Sequence, residues 1–241
     1  MGLTSSGWAA YSFGVEHTQD CDSLYALDLD AVFFSRLDPL DFAQEGHRVE
    51  LASDEPDAPL VFKGVVFNEM KGAMSSVSSV LWDRLCFELF PTNTYHHNSG
   101  GDPEAIPDLS YDELMAFYKG HYHPSNAILL TFGNLPVAQH HDAFESRALN
   151  RFEKSKEVIE VHLEQSFEAP KRATHRYALD DSDAADKTHL IMGWKLGESS
   201  DLDAMLEAQL LSSVLMENSA SPLMQWLETN DLGTAPSPLC G

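Results

Sequence analysis

Basic residues are scarce in this chain: Lys and Arg number 15 against 38 Asp and Glu, for a formal charge of -23. A field of that sign repels a phosphate backbone, so nucleic acid is not an expected partner, whereas a basic or unfolded peptide is attracted. Cysteine is rarer still. The 3 thiols, Cys21, Cys86 and Cys240, are widely spaced and odd in number, which excludes a disulfide framework and fits a reducing compartment. No apolar run approaches the roughly 18 residues of a membrane span. The start, MGLTSSGWAAYSF, has no basic n-region with an apolar core and none of a transit peptide's arginines. The expectation is therefore a chain without a leader and a cytoplasmic location. Gly2 and Ser6 fit a myristoylation pattern, but so short a match arises by chance. No GxxxxGK[ST] loop is present, and SGGDP (99–103) reads as a tight turn rather than a phosphate cradle. No nucleophile elbow or triad motif supports serine or cysteine catalysis.

What is present reads as a soluble globular protein: 241 residues, 43% hydrophobic and 22% charged, enough for one large or two small domains with a buried core. Residues 8–15 alternate as a strand, and Asp22 opens a helical stretch with Leu24, Leu27 and Ala31 on one face. Asp38-Pro39 is a helix start with an N-cap and Pro at the first helical position. Residues 60–74 and 76–90 read as two helices. Ser110 with Glu113 forms a capping box for the next, which Pro124 ends. AILLTFG (127–133) reads as a buried strand and 137–153 as a further helix. Beyond about residue 165, RATHRYAL (172–179) and THLIMGWKL (188–196) read as strands either side of the acidic linker DDSDAAD (180–186). Ser200 or Asp201 then caps an amphipathic helix carrying Leu202, Leu206, Leu210 and Val214. A last helix stops at Gly233, a C′ glycine, before APSPLCG ends in a loop. Strands mixed with helices imply an α+β fold, a layered mixed sheet with helices packed on it.

Glu69 follows Phe62, Val65 and Val66 by seven, four and three residues, which on a helix sets a carboxylate on an apolar face. Burying it there is costly without a metal ion or a salt bridge, for which Lys63 and Lys71 are candidates. His96-His97, His121-x-His123 and His140-His141 are rival metal ligands, but none has the i, i+4 spacing or a CxxC partner of a strong zinc signal.

Two segments, VFKGVVFNEMKGAMSS (61–76) and SYDELMAFYKGHYHPSNAILLTFGNL (110–135), strongly resemble the presequence-peptidase branch of the pitrilysin/insulinase (M16) zinc metallopeptidases. LDAVFFSRLDPLDFAQEGHRVE (29–50) and LFPTNTYHHNSGGDPEAIPDLSYDEL (89–114) extend the resemblance along nearly the whole chain, in wording closer to bacterial members. The family binds zinc through two histidines of an HxxEH motif and a distal glutamate, with the motif glutamate activating water. The distal position is Glu69, within Phe67-Asn68-Glu69-Met70-Lys71-Gly72. No HxxEH occurs in these residues, so the resemblance implies a fragment, with no catalytic residue in this chain and weak or no zinc binding. Departures from the family wording, Ser12 and CDSLYALDLDAVFF among them, cluster near the N-terminal edge and point to truncation or decay there. The resemblance further implies that 1–160 is the C-terminal part of a catalytic-type first domain and that 161–241 starts a similar second one. The expected function is part of a zinc-dependent endopeptidase for unfolded peptides, inactive as the isolated chain. Its partners would be such peptides or the missing remainder of the peptidase. The alternative is a non-catalytic peptide-binding or partner protein of the same ancestry.

Overall fold

The computed structural model describes residues 2–179 and 185–234. Most of the acidic linker (180–184) and the terminal APSPLCG with Cys240 lie outside the described residues. The chain divides into two units, Met1–Lys71 with Ser99–Val161, and Gly72–Asn98 with His162–Gly241.

In the first unit, β1 (Gly2–Thr4) and β2 (Ala9–Tyr11) form an antiparallel pair. The Tyr11 hydroxyl anchors it through a 3.0 Å hydrogen bond to the Tyr122 hydroxyl. Helix α1 (Thr18–Phe33) starts four residues earlier than Asp22 suggested. Its buried face carries Leu29 and Phe33, one helical turn apart, while Leu27 is exposed. These two side chains meet Phe144 and Ala148, at the end of α6 (Val137–Arg147), in a small core completed by Tyr25, Phe34 and Phe152. Asp38 caps the short α2 (Pro39–Asp41) as its sequence implies, its carboxylate accepting from the Leu40 amide at 2.9 Å. A π-helical turn (Phe42–Gly46) leads into the hairpin of β3 (Arg48–Leu51) and β4 (Leu60–Lys63), where Arg48 pairs with Lys63 and Leu51 with Leu60. Helix α3 (Val65–Ala73) follows directly, so the helix expected from residue 60 begins only after a four-residue strand. Helix α5 (Tyr111–His121) carries the complete capping box of Ser110 and Glu113.

The second unit holds α4 (Val77–Leu89), α7 (Leu202–Met216) and α8 (Pro222–Thr229). Asp201 caps α7, accepting from the amides of Asp203 and Ala204. Apolar side chains surround α7 instead of forming one stripe, and Leu202, Leu206, Leu210 and Val214 are all exposed. Helix α8 ends at Thr229 with Asn230 as its C-cap, so the helix stops short of Gly233, which is not its C′ residue.

The layered mixed sheet is corrected to two small antiparallel pairs among the described residues. Segments 127–133, 172–179 and 188–196 run outside any ladder. Their apolar content suits strands, but a strand exists only by hydrogen bonding to a neighbour. Among the described residues no helix is long and apolar enough to cross a membrane.

Candidate functional site

The neighbourhood of Glu69 is built by close backbone packing ahead of α3. A Cβ placed on Gly64 would lie 2.0 Å from the Gly46 carbonyl oxygen, so only glycine lets β4 turn into α3 against the π-helical turn. Aromatic rings continue the support: Phe42 to His47 at 5.4 Å, His47 to Phe62 at 6.4 Å and Phe62 to Phe67 at 6.1 Å between centroids. The His47 Nε2 is hydrogen-bonded to the Leu109 carbonyl at 2.8 Å, which fixes the ring. Across the hairpin, the Glu50 carboxylate meets Lys63 at 2.6 Å and Arg48 at 2.7 Å. Hydrogen bonds from Lys63 and then Arg48 hold its pKa below the usual carboxylate value.

Helix α3 buries Phe67 and Met70 and turns Glu69 outward into solvent. The apolar face inferred from the sequence does not form. Phe62 belongs to β4, and Val65 and Val66 are themselves 51% and 37% exposed. The carboxylate therefore avoids the desolvation cost that the helical-wheel argument assigned to it. Lys63, one of the expected partners, is taken by Glu50. Among the described residues, the Glu69 carboxylate has neither a hydrogen bond nor an ion pair with a protein group.

Five of the six candidate histidines are employed in packing or capping, His97 lying against His96 at 4.9 Å between ring centres, while His141 is exposed. His96 lies against Phe87 at 4.1 Å, its Nδ1 bonded to the Phe87 carbonyl at 3.1 Å. His121 stacks on Phe117 at 3.9 Å and bonds its carbonyl at 2.9 Å. His123 caps a short 3-10 turn by accepting from the Ser125 amide at 3.0 Å. His140 is buried, its Nδ1 in a 2.6 Å hydrogen bond with the Tyr25 hydroxyl, beside a cavity of about 220 Å³ that also borders Cys21. Burial, followed by the nearby Cys21 thiol, raises the Tyr25 phenol above its ordinary value. Nothing in the local sequence pairs residues 25 and 140, which only the packing of α1 on α6 brings together. Among the described residues, no group of three His, Cys, Asp or Glu side chains could hold a metal ion. Catalytic zinc takes three protein ligands and keeps a fourth position open. The residues present do not make such a site on their own.

Residues 108–238 match the family profile described as the peptidase M16 inactive domain, more than half of the chain. The chain belongs to the M16 peptidase family. Glu69 precedes the matched span. Among its relatives, a mitochondrial presequence protease of Xenopus tropicalis is 38% identical over 99% of this chain, and one of Danio rerio 39% over 96%. The corresponding protein of Mus musculus is 36% identical over 99% of the chain. The chain spans only about a quarter of the length of these relatives, 24%, 23% and 23% in turn.

These names overturn the cytoplasmic expectation, because each relative is mitochondrial. That expectation rested on scarce cysteine and on the composition of the first residues. Cysteine usage separates oxidising from reducing compartments without telling one reducing compartment from another. A stretch matching a quarter of a relative carries no reading of that relative's targeting address.

Proposed function

We propose that this chain is part of a zinc-dependent metalloendopeptidase that hydrolyses unfolded peptides, and that the isolated chain does not catalyse. The observation that carries the reading is Glu69, exposed and unpaired within the FNEMKG segment of α3. In this reading Glu69 is the third zinc ligand. The two histidines and the general base come from outside these 241 residues. Residues from 161 onward begin a second, similar domain.

Two further facts support a peptide substrate. The relatives are named for cleaving presequences, and such targeting segments are amphipathic, rich in arginine and poor in acidic residues. A formal charge of -23 draws peptides of that kind toward the protein. The alternative reading, a non-catalytic binding or partner protein, draws on the absence of a three-residue metal cluster among the described residues.

Glu69→Gln in the species purified from its own cells decides the matter. The expected result is loss of bound zinc, together with an activity drop of about 100-fold or more against an unfolded basic peptide, without loss of folding. Retention of zinc and activity by that variant overturns Glu69 as a ligand. Chelator-sensitive cleavage by the 241-residue chain alone overturns its inactivity.

A further inference from the structure

In the first unit, Cys21 and Tyr25 lie one turn apart on α1, and α6 brings His140 against them. The Tyr25 hydroxyl is the middle member of the three. It meets His140 Nδ1 at 2.6 Å on one side and the Cys21 thiol on the other. Phe13 and Phe144 pack edge-on to the Tyr25 ring, at 5.4 and 5.3 Å between centroids, and hold it in place. His140 is only 8% exposed, and among the described residues its Nε2 makes no hydrogen bond with a protein group. No buried side-chain nitrogen or oxygen among these residues is left without a partner, so Nε2 reaches open space. The space that His140 lines is the cavity of about 220 Å³, which Cys21 and Tyr25 line as well. A thiol, a phenol and an imidazole thus meet at one cavity.

This arrangement can move a proton without leaving a charge on the phenol. The Cys21 S–H proton passes to the Tyr25 oxygen as the Tyr25 proton passes to His140 Nδ1. The result is a thiolate, the nucleophilic form of cysteine, and an imidazolium whose Nε2–H opens on the cavity. Cys86 on α4 is the contrast. Both thiols are free and half-buried, so exposure does not separate them. Burial, followed by the Asp83 carboxylate, pushes the Cys86 thiol above its ordinary value and keeps it protonated. Charge and size decide what the Cys21 cavity admits. Asp22 and Asp142 on its wall outnumber Arg147, whose guanidinium is already bound to Asp22 at 2.5 Å. An anionic oxidant such as a carboxylate-bearing disulfide is repelled there, on a chain of formal charge -23. A small neutral oxidant meets no such barrier, and the cavity is several times the roughly 30 Å³ share of a water molecule.

We propose that Cys21 is an oxidation site for a small neutral peroxide, with Tyr25 and His140 relaying the proton. The Cys21 sulfur attacks one peroxide oxygen, so that an S–O bond forms and the O–O bond breaks. The thiol is oxidised to a sulfenic acid and the peroxide is reduced to water. The leaving hydroxide takes the His140 Nε2 proton, which restores a neutral imidazole. Neither Glu69 nor zinc takes part, so this site stands or falls apart from the peptidase reading.

The test treats the folded 241-residue chain with hydrogen peroxide, traps sulfenic acid with dimedone and reads the Cys21 and Cys86 peptides by mass spectrometry. Trapping at Cys21 is expected to be about 10-fold or more faster than at Cys86, and the two rates should converge in urea. Tyr25→Phe keeps the ring and its packing, with folding checked by circular dichroism. It should slow trapping at Cys21 by about 10-fold or more and leave Cys86 unchanged, which mere exposure of Cys21 would not produce. His140→Gln should act in the same direction. Equal rates at Cys21 and Cys86 in the folded chain overturn the proposal. So does a ratio that persists in urea, or a folded Tyr25→Phe chain that oxidises at the native rate. A faster reaction of Cys21 with oxidised glutathione than with peroxide at the same concentration overturns the choice of oxidant.

Discussion

Glu69 and Gly64 occupy one turn of the chain and respond oppositely to substitution. Glu69 is solvent-exposed and its side chain makes no hydrogen bond or ion pair among the described residues, so Glu69→Gln should shift the stability of the isolated chain by no more than about 0.5 kcal/mol in denaturant unfolding. That neutrality makes it a clean probe of metal binding. Gly64 faces backbone, the Gly46 carbonyl oxygen, which cannot rotate away as a flexible side chain would. Gly64→Ala should cost about 1–3 kcal/mol or more, read as a lowered denaturation midpoint. Gly72 has nothing within 4 Å of an added Cβ and lies inside α3. Gly72→Ala should stabilise, by up to about 1 kcal/mol, through helix propensity alone. The pair separates steric demand from backbone entropy within a single helix and its lead-in.

At the scale of elements, termini and clamps do what side-chain chemistry directs. Ser110 accepts from the Glu113 amide while Glu113 accepts from the Ser110 amide at 2.7 Å. Ser110→Ala should cost about 1 kcal/mol, measured as the unfolding free energy of the first unit. In the second unit, Glu88 on α4 holds the segment after residue 170, meeting Lys171 at 2.6 Å and His175 at 2.9 Å. Lys171 chiefly, then His175, keeps the Glu88 carboxyl below its ordinary value. A carboxyl depressed in the folded state contributes stability in full above its unfolded value, near 4, and loses it as pH falls through the lowered one. Exchange at amides 171–175 should therefore accelerate as pH drops below about 4, after correction for intrinsic rates. Glu88→Gln should leave the segment loose throughout and remove that dependence.

For the whole molecule, charge and uncovered apolar surface pull in different directions. With 38 acidic against 15 basic residues, self-repulsion disfavours compactness. Raising salt from about 10 mM to 1 M shortens the screening length from roughly 30 to 3 Å. The thermal midpoint of the chain should rise over that range, and a midpoint unmoved by salt would show that the acidic residues are spaced too widely to repel. The same salt should promote association through Trp194, Leu206 and Phe132, which are exposed apolar side chains. Light scattering across the titration would show whether folding or association responds first.

Local chemistry was legible from the sequence wherever it depends on residues a few positions apart. The Asp38 cap, the Ser110–Glu113 box and the Asp201 cap all form as their spacing dictates, because each joins a side chain to an amide two or three residues on. Family membership was legible too, from long blocks of wording rather than from any one residue. What involves distant partners was not. Whether residues 60–63 are strand or helix depends on Arg48–Leu51 lying beside them. The orientation of Glu69 depends on which face of α3 the hairpin covers, and the Tyr25–His140 bond on two helices far apart in sequence. Segments 127–133 and 188–196 have strand composition and no strand ladder. Composition sets what a segment can pair with, but a hydrogen-bond ladder needs a second chain segment within about 5 Å, and only tertiary structure supplies one.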